Sequence, residues 1–175
     1  MAATYTLISS QVLGSSTASV TFSSIPQTYA NLVLIASTRD TNGIAGNGNF
    51  SIRFNGDTAT NYSVIRLRAQ GTTPSSTLQS SQTSANMGSG SLDTAGNTAN
   101  TFAVSEIYIP NYTSTSSKQF FGMEAAEDNS TAGNSINSVD ASLYRGTSAI
   151  ASISVAATTA FAINSSFYLY GIKNS

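Results

Sequence analysis

The stretch "SSFYLYGIKNS", residues 165–175, decides the fold class because its apolar side chains alternate at the spacing of a β-strand. Phe167 and Leu169 point to one face of an extended chain, whereas Tyr168 and Tyr170 point to the other. A strand of a half-solvated sheet has one apolar and one polar face. This segment is apolar on both faces, so we expect it to be covered on both sides.

The same alternation recurs along the chain. The segment "NLVLIAST" is also apolar on both faces, with Leu32 and Leu34 opposite Val33 and Ile35. Helical periodicity is hard to find, and roughly nine or ten short β-rich segments are separated by turn residues. This pattern predicts a single all-β domain, residues 1–175, built as an antiparallel β-sandwich or barrel.

Two polar segments interrupt this alternation. The turn Asn55–Gly56–Asp57 lies between two alternating segments, and Asn-Gly favours the positive φ values of a tight β-hairpin. The stretch 71–100 is almost purely Ser, Thr, Gln, Asn and Gly. We expect a hairpin at the first segment. At the second we expect a long exposed loop, with thin edge strands as the alternative.

Three of the seven basic residues form a candidate docking patch. Arg66 and Arg68 share one strand face, and the expected hairpin places Arg53 on the neighbouring strand. An exposed outer face with cross-strand partners is one interpretation, and a docking patch for an acidic partner is the other. No aromatic residues interleave with these arginines, and the net charge is −1, so nucleic acid is not an expected partner.

The composition favours a subunit of a larger assembly. Charged residues make up 9% of the chain, against about 25% in typical soluble domains. Such weak self-repulsion is a poor basis for the solubility of a free protein. No apolar run reaches the ~20 residues that span a bilayer, so no membrane partner is expected.

Few residues remain that could carry chemistry. Cysteine and histidine are absent, which removes thiolate and imidazole chemistry, and we expect no cofactor and no metal. The cluster "MEAAED" brings together Glu124, Glu127 and Asp128, which could serve a glycosidase or form a solvated strand end. The solvated strand end is the preferred interpretation, and we predict that the protein is not an enzyme.

Oxygen ligands for calcium are present in two loops. Asp40 begins "RDTNGIAGNGN", and Asp57 lies in "NGDTATNY". Neither spacing matches an EF-hand loop. Local turn chemistry of Asp and Asn is the preferred explanation for both.

Five pieces of the chain, in order, resemble a family of small virion proteins of tailed bacteriophages. They are "YTLISSQVLGSSTASVTFSSIPQTYANLVLIASTR", "IRFNGDTATNYS", "IPNYTSTSSKQF", "TSAIASI" and "FYLYGIK". The resemblance covers most of the chain outside residues 72–100. It implies a jelly-roll-like β-sandwich that serves as a structural protein without enzymatic activity. Relatives often have Trp where this chain has Tyr144.

The resemblance implies a capsid decoration or cement protein, made in the bacterial cytoplasm and located in the phage particle. Its expected partners are itself, as a homo-oligomer with a trimer as the expected state, and the major capsid protein. The outer side of the doubly apolar strands is the expected interface. Its residues are Tyr168, Tyr170, Ile172, Val33 and Ile35.

A tail, fibre or vertex component is the alternative. In that case polar loops at 41–49 and 72–100 would recognise a host-surface glycan. Tyrosines near those loops could stack on sugar rings. The candidates are Tyr62, Tyr112 and Tyr144.

Overall fold

The computed structural model of the protein describes residues 4–127, 129 and 135–173. This part of the chain forms twelve β-strands and no helix, which confirms the predicted all-β class. In chain order the strands are β1 Tyr5–Val12, β2 Thr17–Phe22, β3 Asn31–Asp40, β4 Asn47–Phe54, β5 Tyr62–Gln70, β6 Thr73–Gln82, β7 Ala85–Thr94, β8 Ala103–Pro110, β9 Lys118–Ala126, β10 Ile136–Tyr144, β11 Ile153–Phe161 and β12 Ser166–Ile172.

Eight of the strands pair as a jelly roll. The pairs β1–β12, β2–β11, β3–β8 and β4–β7 are all antiparallel, so early strands pair with late strands in reverse order. This is a long hairpin of strands rolled into two facing sheets. The larger sheet contains β1, β12, β3 and β8, and the smaller sheet has the order β2-β11-β4-β7. At its end β3 also pairs briefly with β7, which joins the two sheets.

Four further strands extend the larger sheet beyond the jelly roll. The order continues from β8 through β9, β10 and β5 to the edge strand β6. All these pairs are antiparallel. We call β5, β6, β9 and β10 the extension. The larger sheet thus has eight strands, twice as many as the smaller one.

An apolar core fills the space between the two sheets. Leu32 and Leu34 of β3 are fully buried there, as the alternation in the sequence indicates. The ring of Phe161 contacts those of Phe50 and Phe167 edge to face, with centroid distances of 6.2 and 4.9 Å. Such aromatic contacts add to the burial of apolar surface that stabilises a sandwich.

The Asn-Gly segment forms the expected turn but not the expected hairpin. Asn55 and Gly56 have φ values of 52° and 65°, and the Asp57 amide donates to the Phe54 carbonyl at 2.9 Å. However, β4 and β5 do not pair, because β7 and β11 occupy both edges of β4 in the smaller sheet. The turn instead carries the chain from one sheet to the other.

The stretch at 71–100 is not a long loop, since residues 73–94 contribute two strands. β6 is the nearly fully exposed edge of the extension, which agrees with the edge-strand alternative. β7 is buried at several positions and packs against the extension. Polar sequences form strands here because the pairing partners supply backbone hydrogen bonds along their length.

Replacing Asn55 with Ala is expected to lower the free energy of unfolding by about 2 kcal/mol. Its side-chain amide donates to the Ala149 carbonyl at 2.8 Å, and its Oδ1 accepts from the amides of Ala151 and Ser152 at 2.8 and 3.1 Å. The change removes these bonds and places Ala at a positive φ. Urea denaturation measures the loss.

Asn111→Ala is the matched control. Asn111 also has a positive φ, 48°, but its side chain makes no hydrogen bond to the described residues. This variant therefore carries the backbone strain alone. Equal losses in the two variants would show that the side-chain bonds of Asn55 contribute nothing.

Candidate interaction face

The outer surface of the extension is apolar. Six of its large apolar side chains, and one on the adjacent β8, expose between 42% and 71% of their surface. We call these seven residues the outer apolar face: Ile65, Leu67, Leu78, Phe121, Met123, Val139 and Val104. Monomeric proteins rarely leave so many large apolar side chains exposed on one contiguous surface.

Strand register connects this face to the rest of the larger sheet. Directly paired residues from β6 to β1 form one row across all eight strands: Leu78, Ile65, Ala141, Phe121, Tyr108, Val33, Tyr170 and Leu7. A parallel row contains Leu67, Val139, Met123, Glu106, Ile35 and Tyr168. Paired Cβ atoms lie about 5 Å apart, so the apolar surface is continuous. Its first row carries no charge, and Glu106 is the one charged residue named in the second.

The predicted interface residues lie on this same outer side. Tyr168 and Tyr170 of β12 pair with Ile35 and Val33 of β3, and all except Val33 are partly exposed. Ile172, which is also partly exposed, follows on β12. Val33 is only 1% exposed, because its paired neighbours Tyr170 and Tyr108 flank it on both sides. It is therefore not an accessible contact residue. Whether the other four form an interface stays a prediction.

The predicted docking patch is wrong, because Arg66 lies inside the sandwich. Its Nε and Nη2 donate to Oδ1 and Oδ2 of Asp140, each at 2.7 Å, and Nη2 also donates to the Asn86 carbonyl of β7. Arg68, on the same side of β5, is half-buried. Arg53 lies in the smaller sheet and donates to the Thr83 carbonyl at 3.1 Å. The three arginines therefore form no exposed patch.

Glu124 is another buried ionisable group on this inner side. Its Oε2 accepts a hydrogen bond from the Ser138 hydroxyl at 2.8 Å, and its Oε1 has no partner among the described residues. Burial, and then the nearby Asp140 carboxylate, raise the pKa of Glu124 to about 8. We therefore expect this carboxyl group to be protonated near neutral pH.

The middle of the extension therefore reverses the usual pattern of a half-solvated sheet. The ionisable side chains Arg66, Asp140 and Glu124 face inward there, and the residues of the outer apolar face lie on the opposite side. Nearer one end of these strands, aromatic side chains of β5, β9 and β10 face the core. The alternation on β5 predicts two different faces for this strand, and the expectation that its arginines face outward is wrong. The signal that could have corrected it is the matching alternation on β10, where Asp140 falls between Val139 and Ala141.

The acidic cluster does not form an open carboxylate pair. Glu124 is buried between the sheets, whereas Glu127 is exposed beyond the end of β9. Asp128 lies outside the described residues. A glycosidase needs both carboxyl groups to flank a bond of a bound substrate, and the buried Glu124 does not meet that requirement.

The two candidate calcium loops are organised by local hydrogen bonds. Asp40 accepts from the Asn42 amide at 2.7 Å, and Asp57 accepts from the Ala59 amide at 2.8 Å. Each hydrogen bond closes a turn in which the aspartate side chain accepts from the backbone amide two residues later, as local turn chemistry predicts. Among the described residues, no group of three or more acidic side chains is placed to hold a metal.

The tyrosines considered for glycan stacking are core residues. Tyr62 and Tyr112 are fully buried, and Tyr144 is only 3% exposed. The rings of Tyr62 and Tyr144 stack at 4.9 Å, and Phe54 contacts Tyr144 edge to face at 5.4 Å. These three tyrosines therefore offer no ring face to a ligand.

A groove of about 440 Å³ lies on the outer side of the extension. Apolar and aromatic side chains form most of its lining, including Ile65, Leu78, Tyr108 and Phe121. The Phe121 and Tyr108 rings are 5.5 Å apart. The groove is thus part of the outer apolar face and its first row.

Comparisons with models of known protein families and with curated proteins find no match to this chain. None of the described residues belongs to a helix long and apolar enough to span a membrane. The outer apolar face and the groove within it are therefore the structural features on which a function can be argued.

Proposed function

We propose that this protein is a structural subunit of a bacteriophage virion, and that it decorates and stabilises the assembled head shell. The outer apolar face is the observation that carries the proposal. An exposed apolar surface of this extent on a chain with 9% charged residues is suited to being covered in an assembly. The resemblance to small virion proteins supports the same function.

The extent of the face matches an interaction surface. If a large side chain has roughly 200 Å² of surface, the seven exposed residues offer on the order of 700 Å². The largest apolar patch on a typical monomer is about 300–600 Å². Covering the face would also remove its tendency to cause non-specific association.

The mechanism is mass action. A subunit that binds the assembled shell more tightly than its separated components opposes shell opening by its own binding free energy. Repetition over many copies multiplies this effect. The subunit needs no catalytic group for it, only a contact face and a rigid scaffold. Here the jelly roll supplies the scaffold, and the extension carries an apolar face that assembly would cover.

A tail, fibre or vertex component that binds a host-surface glycan is the second candidate. The tyrosines first considered are buried, but the groove offers other groups. Tyr108 and Phe121 supply aromatic rings, and Gln119 and Ser63 supply hydrogen-bonding groups. Aromatic rings combined with polar groups suit the binding of a sugar.

Counting this protein in purified virions separates the two candidates. Quantitative mass spectrometry against the major capsid protein gives the ratio of copies. Abundance comparable with that of the major capsid protein would support the decoration function. A ratio lower by more than about tenfold would favour the tail or vertex, and absence from virions would reject both.

The double variant Leu67→Asp/Val139→Asp is expected to reduce virion occupancy at least tenfold. Each change places a carboxylate among the apolar side chains of the face, where covering it would desolvate the charge, and about 1.4 kcal/mol is enough for a tenfold loss. Ser19→Asp, on the exposed outer side of β2, is the control and should bind normally. Unchanged occupancy of the double variant would exclude the outer apolar face from every contact on which virion occupancy depends.

A further inference from the structure

We infer that the outer apolar face pairs with the same face of a second copy of this chain. This deepens the proposed function, on which it rests, by naming the partner of the same surface. The pair would bury the extension of one protomer against that of its partner. The contact is isologous, so it closes as a dimer and does not propagate into a filament.

Charge is the first argument for a second copy. The row from Leu78 to Leu7 carries no charge, and Glu106 is the one charged residue named in the second row. Glu106 lies on β8, paired with Met123 of the face, so the two copies must meet with their Glu106 side chains away from each other. At the other positions of the two rows no like charges would oppose each other. A partner selected by charge complementarity would find almost nothing to recognise on this face.

Area is the second argument. Taking roughly 200 Å² per large side chain, the face offers on the order of 700 Å². Stable interfaces bury about 800 Å² on each partner. Two exposed alanines on the same side add to the contact: Ala141 in the first row, and Ala125, which pairs with Val104. One copy of the face is therefore about the size that a single pairwise interface needs.

Shape is the third argument. Leu78 and Leu67 are the most exposed side chains of the face, at 71% and 67%, and Leu78 also borders the groove of about 440 Å³. A self-complementary contact needs projections and a hollow on the same surface, so that each protomer fills the other. The outer apolar face carries both.

Pairing of this kind differs from the trimer that the sequence resemblance implies. A threefold ring joins two different surfaces of each protomer, whereas a twofold pair joins one surface to itself. The apolar residues described here form one continuous surface, which favours the twofold pair.

The absence of cysteine makes the inference directly testable. Any introduced cysteine is the sole thiol, so a disulfide can form only between two copies. We would make Leu67→Cys, Met123→Cys and Val139→Cys, with Ser19→Cys on the smaller sheet as the control. Sedimentation velocity of the wild type, over a hundredfold range of concentration, gives the mass of the species in solution.

The expected result is a dimer for the wild type and rapid disulfide formation for at least one cysteine of the face. Ser19→Cys should not cross-link. The variant Leu67→Asp/Val139→Asp should dissociate at least tenfold more readily while keeping its circular dichroism spectrum. A folded monomer at every concentration, a trimer, or preferential cross-linking through Ser19→Cys would overturn the inference.

If the protein does not form the dimer, the proposed function can still be tested independently. A monomeric protein that is abundant in virions would show that the shell covers the face directly. A dimer that is absent from virions would support the pairing and reject the virion function. The two measurements thus separate the two proposals.

Discussion

Replacing Arg66 with Met is expected to lower the free energy of unfolding by about 3–5 kcal/mol. The guanidinium group is only 3% exposed and holds both oxygens of Asp140, which is itself fully buried. Without it, a buried carboxylate loses its bidentate partner, and the Asn86 carbonyl of β7 loses a donor. Urea denaturation at neutral pH, followed by circular dichroism, measures the change.

Two further variants identify the cause of that loss. Arg66→Met combined with Asp140→Leu should recover much of the stability, because a buried ion pair can often be replaced by apolar side chains at little net change. Arg53→Met removes a half-buried arginine that donates to the Thr83 carbonyl, and it should cost less than about 1 kcal/mol. If all three variants lost the same stability, the Arg66–Asp140 pair would have no special role.

The wild-type protein is expected to lose stability as the pH rises from about 5 to 9, by roughly 4 kcal/mol. The pKa of Glu124 is raised to about 8 in the folded state, against 4.5 as its ordinary value. Below the ordinary value both states hold the proton, so the stabilising contribution is complete. Between pH 4.5 and about 8, Glu124 loses its proton in the unfolded state and keeps it in the folded state. Stability therefore falls with rising pH until the folded state also deprotonates.

Glu124→Gln should remove this pH dependence. The amide is uncharged at every pH and can still accept the hydrogen bond that the Ser138 hydroxyl donates to Glu124. We expect the variant to be more stable than the wild type near pH 9 and similar to it near pH 5, as measured by urea denaturation at several pH values. Glu127→Gln is the matched control, because Glu127 is exposed. Parallel curves for the wild type and Glu124→Gln would contradict the assignment.

Arg66 and Glu124 lie directly beneath the outer apolar face, so both residues affect how that face is formed. β5 carries Arg66 inward and Leu67 outward, and β9 carries Glu124 inward and Met123 outward. The inward contacts therefore hold the extension in the register that presents the apolar residues to the outside. A one-residue shift would exchange the two faces of a strand.

The local features of this protein follow from patterns in its sequence. Period-two alternation defined strands such as β3 and β12, including the outward direction of Ile35 and Tyr168. The conformation at Asn55–Gly56 was also predicted, and so was the turn at Asp40. Each of these depends on residues that are neighbours in the chain, so a local pattern is sufficient to specify it.

The pairing of the strands and the buried side of the extension depend on contacts between distant parts of the chain. Alternation of Ile65 and Leu67 with Arg66 shows that the two faces of β5 differ, but the period is the same whichever face is inside. Burial of the face that carries Arg66 depends on Asp140, which lies 74 residues away in the chain and neutralises Arg66 between the sheets. Pairing of β4 with β7 and β11, in place of a hairpin with β5, likewise depends on distant segments. The pairing and the buried face are set by the free energy of the whole packed sandwich. A short segment of sequence does not contain the distant residues on which that free energy depends.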